Sequence, residues 1–171
     1  MIPTQHRRQL LTLALLSPLA PWAQAHGSRP HGHQGHHAPL VKEQKPWGIA
    51  AEPREARRTI EILMTDDMRF SPAHIDVREG ETLRLRAVNR GQVMHEIVIG
   101  TRQELEEHAE MMKKHPNMEH DEPYMAHVEP GQRGDIVWTF NRPGDFEFAC
   151  LIPGHFEAGM RGTIRVRPRN S

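Results

Sequence analysis

The sequence predicts an all-β sandwich interrupted by one helix. Three observations carry this reading. From about Arg57 onward the chain falls into short runs rich in Val, Ile, Leu and Phe, turn residues separate those runs, and a single stretch opened by Thr101 has a helix signature instead. At 171 residues there is enough chain for one core of ordinary size with appendages, and too little for two.

The strand candidates are, in order, 59–64, 74–77, 82–89, 96–100, 135–140, 145–150 and 163–167. In the third, Leu83, Leu85 and Ala87 alternate with Thr82, Arg84 and Arg86, which gives one buried and one wet face and the look of an antiparallel sandwich. Turns fall at Glu79-Gly80, Arg90-Gly91, Pro130-Gly131 and Pro143-Gly144. Between the fourth and fifth strands, Thr101 and Glu104 form a T-x-x-E capping box, and helix-compatible residues follow until Pro116 stops them.

Ahead of the sandwich lie two other kinds of sequence. Residues 1–25 combine the basic pair Arg7-Arg8, an apolar stretch from Leu10 to Leu19 and the small-residue site Ala23-Gln24-Ala25, the pattern of a cleaved export signal. Ser17, Pro18 and Pro21 break that stretch well short of the roughly 20 apolar residues a membrane span needs. The Arg7-Arg8-Gln9-Leu10-Leu11 order resembles a twin-arginine signal, so export by the general or the twin-arginine route is expected, with the periplasm as destination. Residues 26–56 read as a histidine-rich tail and linker. Within 26–37, His26, His31, His33, His36 and His37 sit among glycines and a proline with nothing apolar to bury, and in the linker only Trp47 and Ile49 are suited to packing. Residues 57–171 form the expected domain.

The charge balance, 22 Lys+Arg against 22 Asp+Glu, excludes a field that would gather nucleic acid or an anionic membrane. Phosphate-loop, GxSxG and HExxH motifs are all missing. The single cysteine, Cys150, must in an exported protein pair between chains, stay free, or bind a metal.

Its neighbourhood favours the metal. Cys150-Leu-Ile-Pro-Gly-His155-Phe-Glu-Ala-Gly-Met160 places a thiolate, an imidazole and a thioether on one loop between two strand candidates. Such a mixture suits copper in both oxidation states, because the thiolate and imidazoles serve Cu(I) and Cu(II) while a long axial thioether commits the site to neither geometry. A His₂Cys plane requires a second histidine from elsewhere, and His95, after a turn and at the start of a strand, is the candidate.

The loop CxIPGHxxxGMxG and the stretch Asn89-x-Gly91-x-x-x-His95 resemble the cupredoxins, the family of azurin, plastocyanin, pseudoazurin and rusticyanin, over roughly residues 58–167. The loop is nearest to the rusticyanin pattern, with four residues between Cys150 and His155 and four between His155 and Met160. The resemblance implies a Greek-key sandwich of eight strands and one type 1 copper held by His95, Cys150, His155 and Met160. It also marks a departure, since Glu96 stands where many electron carriers have Asn or a small residue.

Two further groups suggest additional copper ions. His108, Met111, Met112 and His115 share a helix face at i, i+3, i+4 and i+7, although Leu105 on the same face also fits core packing, and Met118, His120, Met125 and His127 continue the series. The histidine tail is a second, unspecific metal-binding candidate. With these appendages the chain resembles periplasmic copper-tolerance cupredoxins of the CopI type. The expectation is a copper-binding redox protein of copper homeostasis, with copper ions and a redox partner or copper exporter as partners. The alternative is a small soluble electron carrier serving a respiratory or oxidase partner. Enzymatic activity is not expected, because multicopper oxidases and copper nitrite reductases take additional ligands from further domains.

Overall fold

The computed structural model describes residues 40, 42–116, 118 and 120–169, so the expected export signal and the tail histidines His26, His31, His33, His36 and His37 lie outside the described residues. In chain order the strands are β1 (Ile49–Ala50), β2 (Arg58–Thr65), β3 (Arg69–Ser71), β4 (His74–Arg78), β5 (Glu81–Asn89), β6 (His95–Gly100), β7 (Met125–Val128), β8 (Arg133–Phe140), β9 (Gly144–Ala149) and β10 (Arg161–Arg167), with helix α1 (Arg102–Lys114) between β6 and β7. They form two five-stranded sheets, ordered β1-β8-β5-β2-β3 and β4-β10-β9-β6-β7.

All seven strand candidates are strands, with ends within two residues of the sequence reading; the sixth starts one residue earlier and stops at Ala149, which leaves Cys150 outside it. Three strands escaped it. β1 and β3 are edge pieces of two and three residues, too short to show a period, and β7 was hidden by its Met and His content. The resemblance implied eight strands, and these short edges raise the number to ten among the described residues. The purely antiparallel expectation also needs correction, because β2 pairs with β5 and β4 with β10 in parallel. The reason is topological: between β2 and β5 the chain crosses to the other sheet to form β4, so it re-enters the first sheet in its original direction.

Leu83, Leu85 and Ala87 of β5 point inward and are fully buried, as their alternation predicts. They meet Ile136, Trp138 and Phe140 of β8 and, from the second sheet, Ile97, Ile99, Phe148 and Ile164. Each such large side chain contributes about 1.5–3 kcal/mol by leaving water. Ahead of β2, Trp47 is buried in the same core, and its carbonyl accepts the Trp138 indole N–H at 3.2 Å.

β6 is buried at every position, which alternation alone would not give. α1 supplies the cover: Leu105, Ala109 and Met112 pack with Val98, Met125, Ala149, Leu151 and Phe156 on the outer face of the second sheet. Thr101 caps the helix as its box predicts, taking the Glu104 N–H at 3.3 Å, and the His115 N–H closes the other end on the Met111 carbonyl at 3.0 Å before Pro116. No helix among the described residues is long and apolar enough to cross a membrane.

Candidate metal centre

β5 ends at Asn89, and this buried side chain shapes the turn that delivers His95. Its amide donates to the carbonyls of Val93 and Val128, both at 2.8 Å, while its oxygen accepts the Gly91 N–H at 2.8 Å. A Cβ at position 91 would collide with the carboxylate of Asp66 and push it from this place, so glycine leaves room for it. That close approach lets Asp66 accept the Gln92 N–H at 2.7 Å and reach His95 Nε2 at 3.1 Å. The Gln92 N–H, with help from His95, holds the Asp66 carboxyl below the usual range.

A carboxylate can only accept, so the proton of His95 sits on Nε2 and Nδ1 carries the lone pair. His95 Nδ1 is buried and has no hydrogen-bond partner among the described residues. It faces the Cys150 loop: the rings of His95 and His155 lie 5.0 Å apart, Cys150 Sγ is 3.3 Å from His155 Nδ1, and the three donor atoms all fall within 4.8 Å of one another.

The loop closes on itself. Cys150 follows the last residue of β9, and its N–H bonds the Met160 carbonyl at 3.1 Å, while the Met160 N–H bonds the His155 carbonyl at 3.1 Å. Gly154 and Gly159 take left-handed conformations, φ +92° and +87°, that let the chain turn twice within ten residues. Met160 is thereby held at the base of the loop with its side chain fully buried in the same core cluster as Cys150.

The electrostatics prepare these groups for a cation. Burial, reinforced by the nearby Glu96 charge, pushes the Cys150 thiol up to about 12, while the backbone N–H groups of Glu96 and Ile152 pull the other way by favouring the thiolate. His155 is held below its ordinary value by burial and by His95 beside it, so it stays a neutral donor. A thiol that ionises only against a strong positive charge and two imidazole nitrogens, one the orphaned buried Nδ1 of His95 and the other the Nδ1 of His155 against the sulfur, fit a copper ion of the His₂Cys kind.

Glu96 itself is buried, yet both its oxygens are used. Oε1 accepts the Leu151 N–H at 2.7 Å, bracing the residue after Cys150, and Oε2 lies 2.9 Å from His127 Nε2 on the paired strand. A glutamate here keeps the sulfur-directed backbone N–H of the strand and adds a brace of its own.

The second series separates in space. His108, His120 and His127 converge, with ring centroids 4.7 Å apart for the first two and 6.3 Å for the last two, and burial with His120 nearby holds His108 below its ordinary value. The methionines do not join them as one face: Met112 and Met125 pack in the core under α1, while Met111, Met118 and His115 are exposed. The i, i+4 partner Met112 points at the sheet because Leu105 and Ala109 set the buried stripe of the helix. Sequence reasoning missed Asp66, which has no fixed spacing to His95, and missed the role of Glu96 as a buried brace.

Residues 58–167 match the family described as copper binding proteins, plastocyanin/azurin family. The chain is 47% identical over 163 residues to the copper-resistant cuproprotein CopI of Rubrivivax gelatinosus, covering 94% of this chain and 96% of that protein. It is 33% identical over 156 residues to the copper-resistant cuproprotein CopI of Pseudomonas aeruginosa, covering 71% of this chain and 83% of that protein. A solved structure of auracyanin B superposes with a TM-score of 0.59 at 22% identity, over 71% of this chain and 95% of that chain, which is a likeness of fold.

Proposed function

The chain belongs to the plastocyanin/azurin family of copper-binding proteins, and from that premise we propose that it is an exported type 1 copper protein of bacterial copper tolerance, working in the periplasm by one-electron exchange and not as an enzyme. The observation that carries the copper site is the buried, unpartnered Nδ1 of His95 aimed at Cys150 and His155. In this reading His95, Cys150 and His155 would hold the ion together with the buried Met160 beside them. Bound copper supplies a centre that gains and loses one electron.

The protein's own residues do the rest. Asp66 fixes the His95 ring, the Cys150–Met160 backbone pair holds the loop, and the core around Phe148 and Ile164 keeps bulk water out, so little need move between oxidation states. Residues 1–25 serve as the export signal, residues 26–56 as tail and linker with His26, His31, His33, His36 and His37 gathering copper ions, the end of the linker joining the sandwich through Trp47 and β1, and residues 57–171 as the main domain.

Tolerance is favoured over simple electron carriage by the likeness to two proteins named copper-resistant. The test loads the mature chain with Cu(II). An intense thiolate-to-copper band is expected in the parent and none in Cys150→Ser, and a coloured Ser variant would overturn the site. Deleting the gene should sensitise cells to copper while leaving respiration intact. A respiratory defect with unchanged copper tolerance would instead favour the electron carrier and its partner.

A further inference from the structure

His155 is the least buried of the four ligand candidates, and it stands midway between β9 and β10, where no strand holds it. The other three are placed by the sheets. His95 opens β6 and leans on Asp66, Cys150 directly follows β9, and Met160 directly precedes β10. Around His155 the turn is closed by its own backbone, with the His155 N–H on the Ile152 carbonyl at 2.9 Å and the Gly159 N–H on the Phe156 carbonyl at 3.0 Å. Such bonds fix the shape of a turn, but only contacts with another element fix where it sits.

The residues on both sides of His155 are tied to α1. Phe156 is buried in one cluster with Leu105, Ala109 and Met112 of the helix, although it lies in a loop. The Arg161 guanidinium lies 3.8 Å from the centre of the Phe156 ring and reaches Glu106 of α1, also at 3.8 Å. On the preceding side, the Gly154 N–H donates to Glu157 at 2.8 Å, and Glu157 lies 3.5 Å from the Lys113 ammonium of α1. Cys150 is bracketed in the same way, since Ala149 and Leu151 join the helix cluster while Cys150 itself turns to the core with Phe148. The ion pairs are partly exposed and hold little by themselves, so the apolar seat of Phe156 carries the contact.

Granted the copper centre at Cys150, we propose that α1 is the outer clamp of its loop, and that Phe156 is the positioning residue through which the helix holds His155. A large side chain seated beside a ligand fixes the backbone from which that ligand springs, so His155 Nδ1 is kept next to the Cys150 sulfur. Phe156 itself touches no metal in this assignment. It acts through its neighbour.

The test compares Phe156→Ala on the loop side and Met112→Ala on the helix side with Val77→Ala, which removes buried volume beside Val166 and the start of β9, at the other end from Cys150. Two readouts are taken on the mature chain with its tail. The first is amide hydrogen exchange of the Met160 N–H, which donates to the His155 carbonyl, in the copper-free protein. The second is Cu(II) affinity by chelator competition, followed at the thiolate band, which the cysteine-free tail does not produce. Both clamp variants should exchange this proton several-fold faster than Val77→Ala and bind Cu(II) about 10–100-fold more weakly than the parent. Exchange and affinity in Phe156→Ala that match Val77→Ala would overturn the clamp and leave His155 held by its own turn. A change in Phe156→Ala with none in Met112→Ala would overturn the part given to the helix. If Phe156→Ala does not fold, Phe156→Leu, which stays apolar but gives up the ring beside Arg161, carries the same two readouts. A parent without the thiolate band would sink the copper reading, and the exchange comparison, made without copper, still decides the clamp.

Discussion

Asp66, in the turn after β2, accepts the Nε2–H of His95 at 3.1 Å and so turns the other nitrogen of that ring toward Cys150. The contact joins two segments that are 29 residues apart in sequence. Removing the acceptor by Asp66→Ala should free the ring and lower copper affinity about 10–100-fold, whereas Asp66→Asn, which keeps an oxygen acceptor, should retain most of it. Chelator competition on the two variants measures this, and an unchanged affinity in Asp66→Ala would show that the His95 ring is fixed by packing alone.

Glu96 offers a stability test. Glu96→Ala strands the Leu151 N–H in a buried place and removes one partner of His127, so the apo protein should lose about 1–3 kcal/mol. Glu96→Gln keeps one accepting oxygen and should cost clearly less. Urea unfolding of these two beside Glu96→Met, which fills a similar volume but accepts no hydrogen bond from Leu151, separates bracing from simple filling of space: a Met variant as stable as Glu96→Gln would show that volume alone matters.

The pH dependence of stability should carry the mark of Asp135. Arg86 first and then Arg84 hold its carboxyl below the usual range, with hydrogen bonds of 2.8 to 2.9 Å from both guanidinium groups. A folded-state value below the unfolded one means that the contribution is complete above the unfolded pKa, about 3.9, and disappears as pH falls through the folded value. Asp135→Asn should therefore cost about 1 kcal/mol near neutrality, after solvent screening, and nothing at the acid end. Denaturation midpoints of parent and variant measured down the pH scale should converge; a constant gap would assign the loss to something other than charge.

Met160→Leu conserves volume in a fully buried position, so the fold should survive with a loss under about 1.5 kcal/mol. If the thioether is the axial donor, its removal leaves the higher-charged Cu(II) state less well supported. The thiolate-to-copper band should then shift and the reduction potential rise. A variant with the parent's spectrum and potential would show that Met160 is core and nothing more.

Copper binding to the folded chain alone should also raise its thermal midpoint, since a ligand that prefers the native state stabilises it by mass action. Scans of apo and Cu(I)-loaded protein test this, and equal midpoints would mean that the site adds nothing to the fold.

Much of this was readable in one dimension. The alternation of Leu83, Leu85 and Ala87, the Thr101–Glu104 box and the Cys150–Met160 loop are local patterns, because side-chain direction in a strand, helix capping and loop ligation each depend on residues a few positions apart. His95 could be named because a copper plane lacks a ligand without it. What stayed hidden depends on pairing across the sheets: the parallel β2–β5 and β4–β10 contacts, Asp66 on His95, and Glu96 between Leu151 and His127. The helix histidines and methionines show the same division. Their sequence spacing put them on one stripe, but packing against β6 decides that Met112 is core and that His108 is left to face His120, because a helix rotates to bury its most apolar edge and only the tertiary structure says where that edge lies.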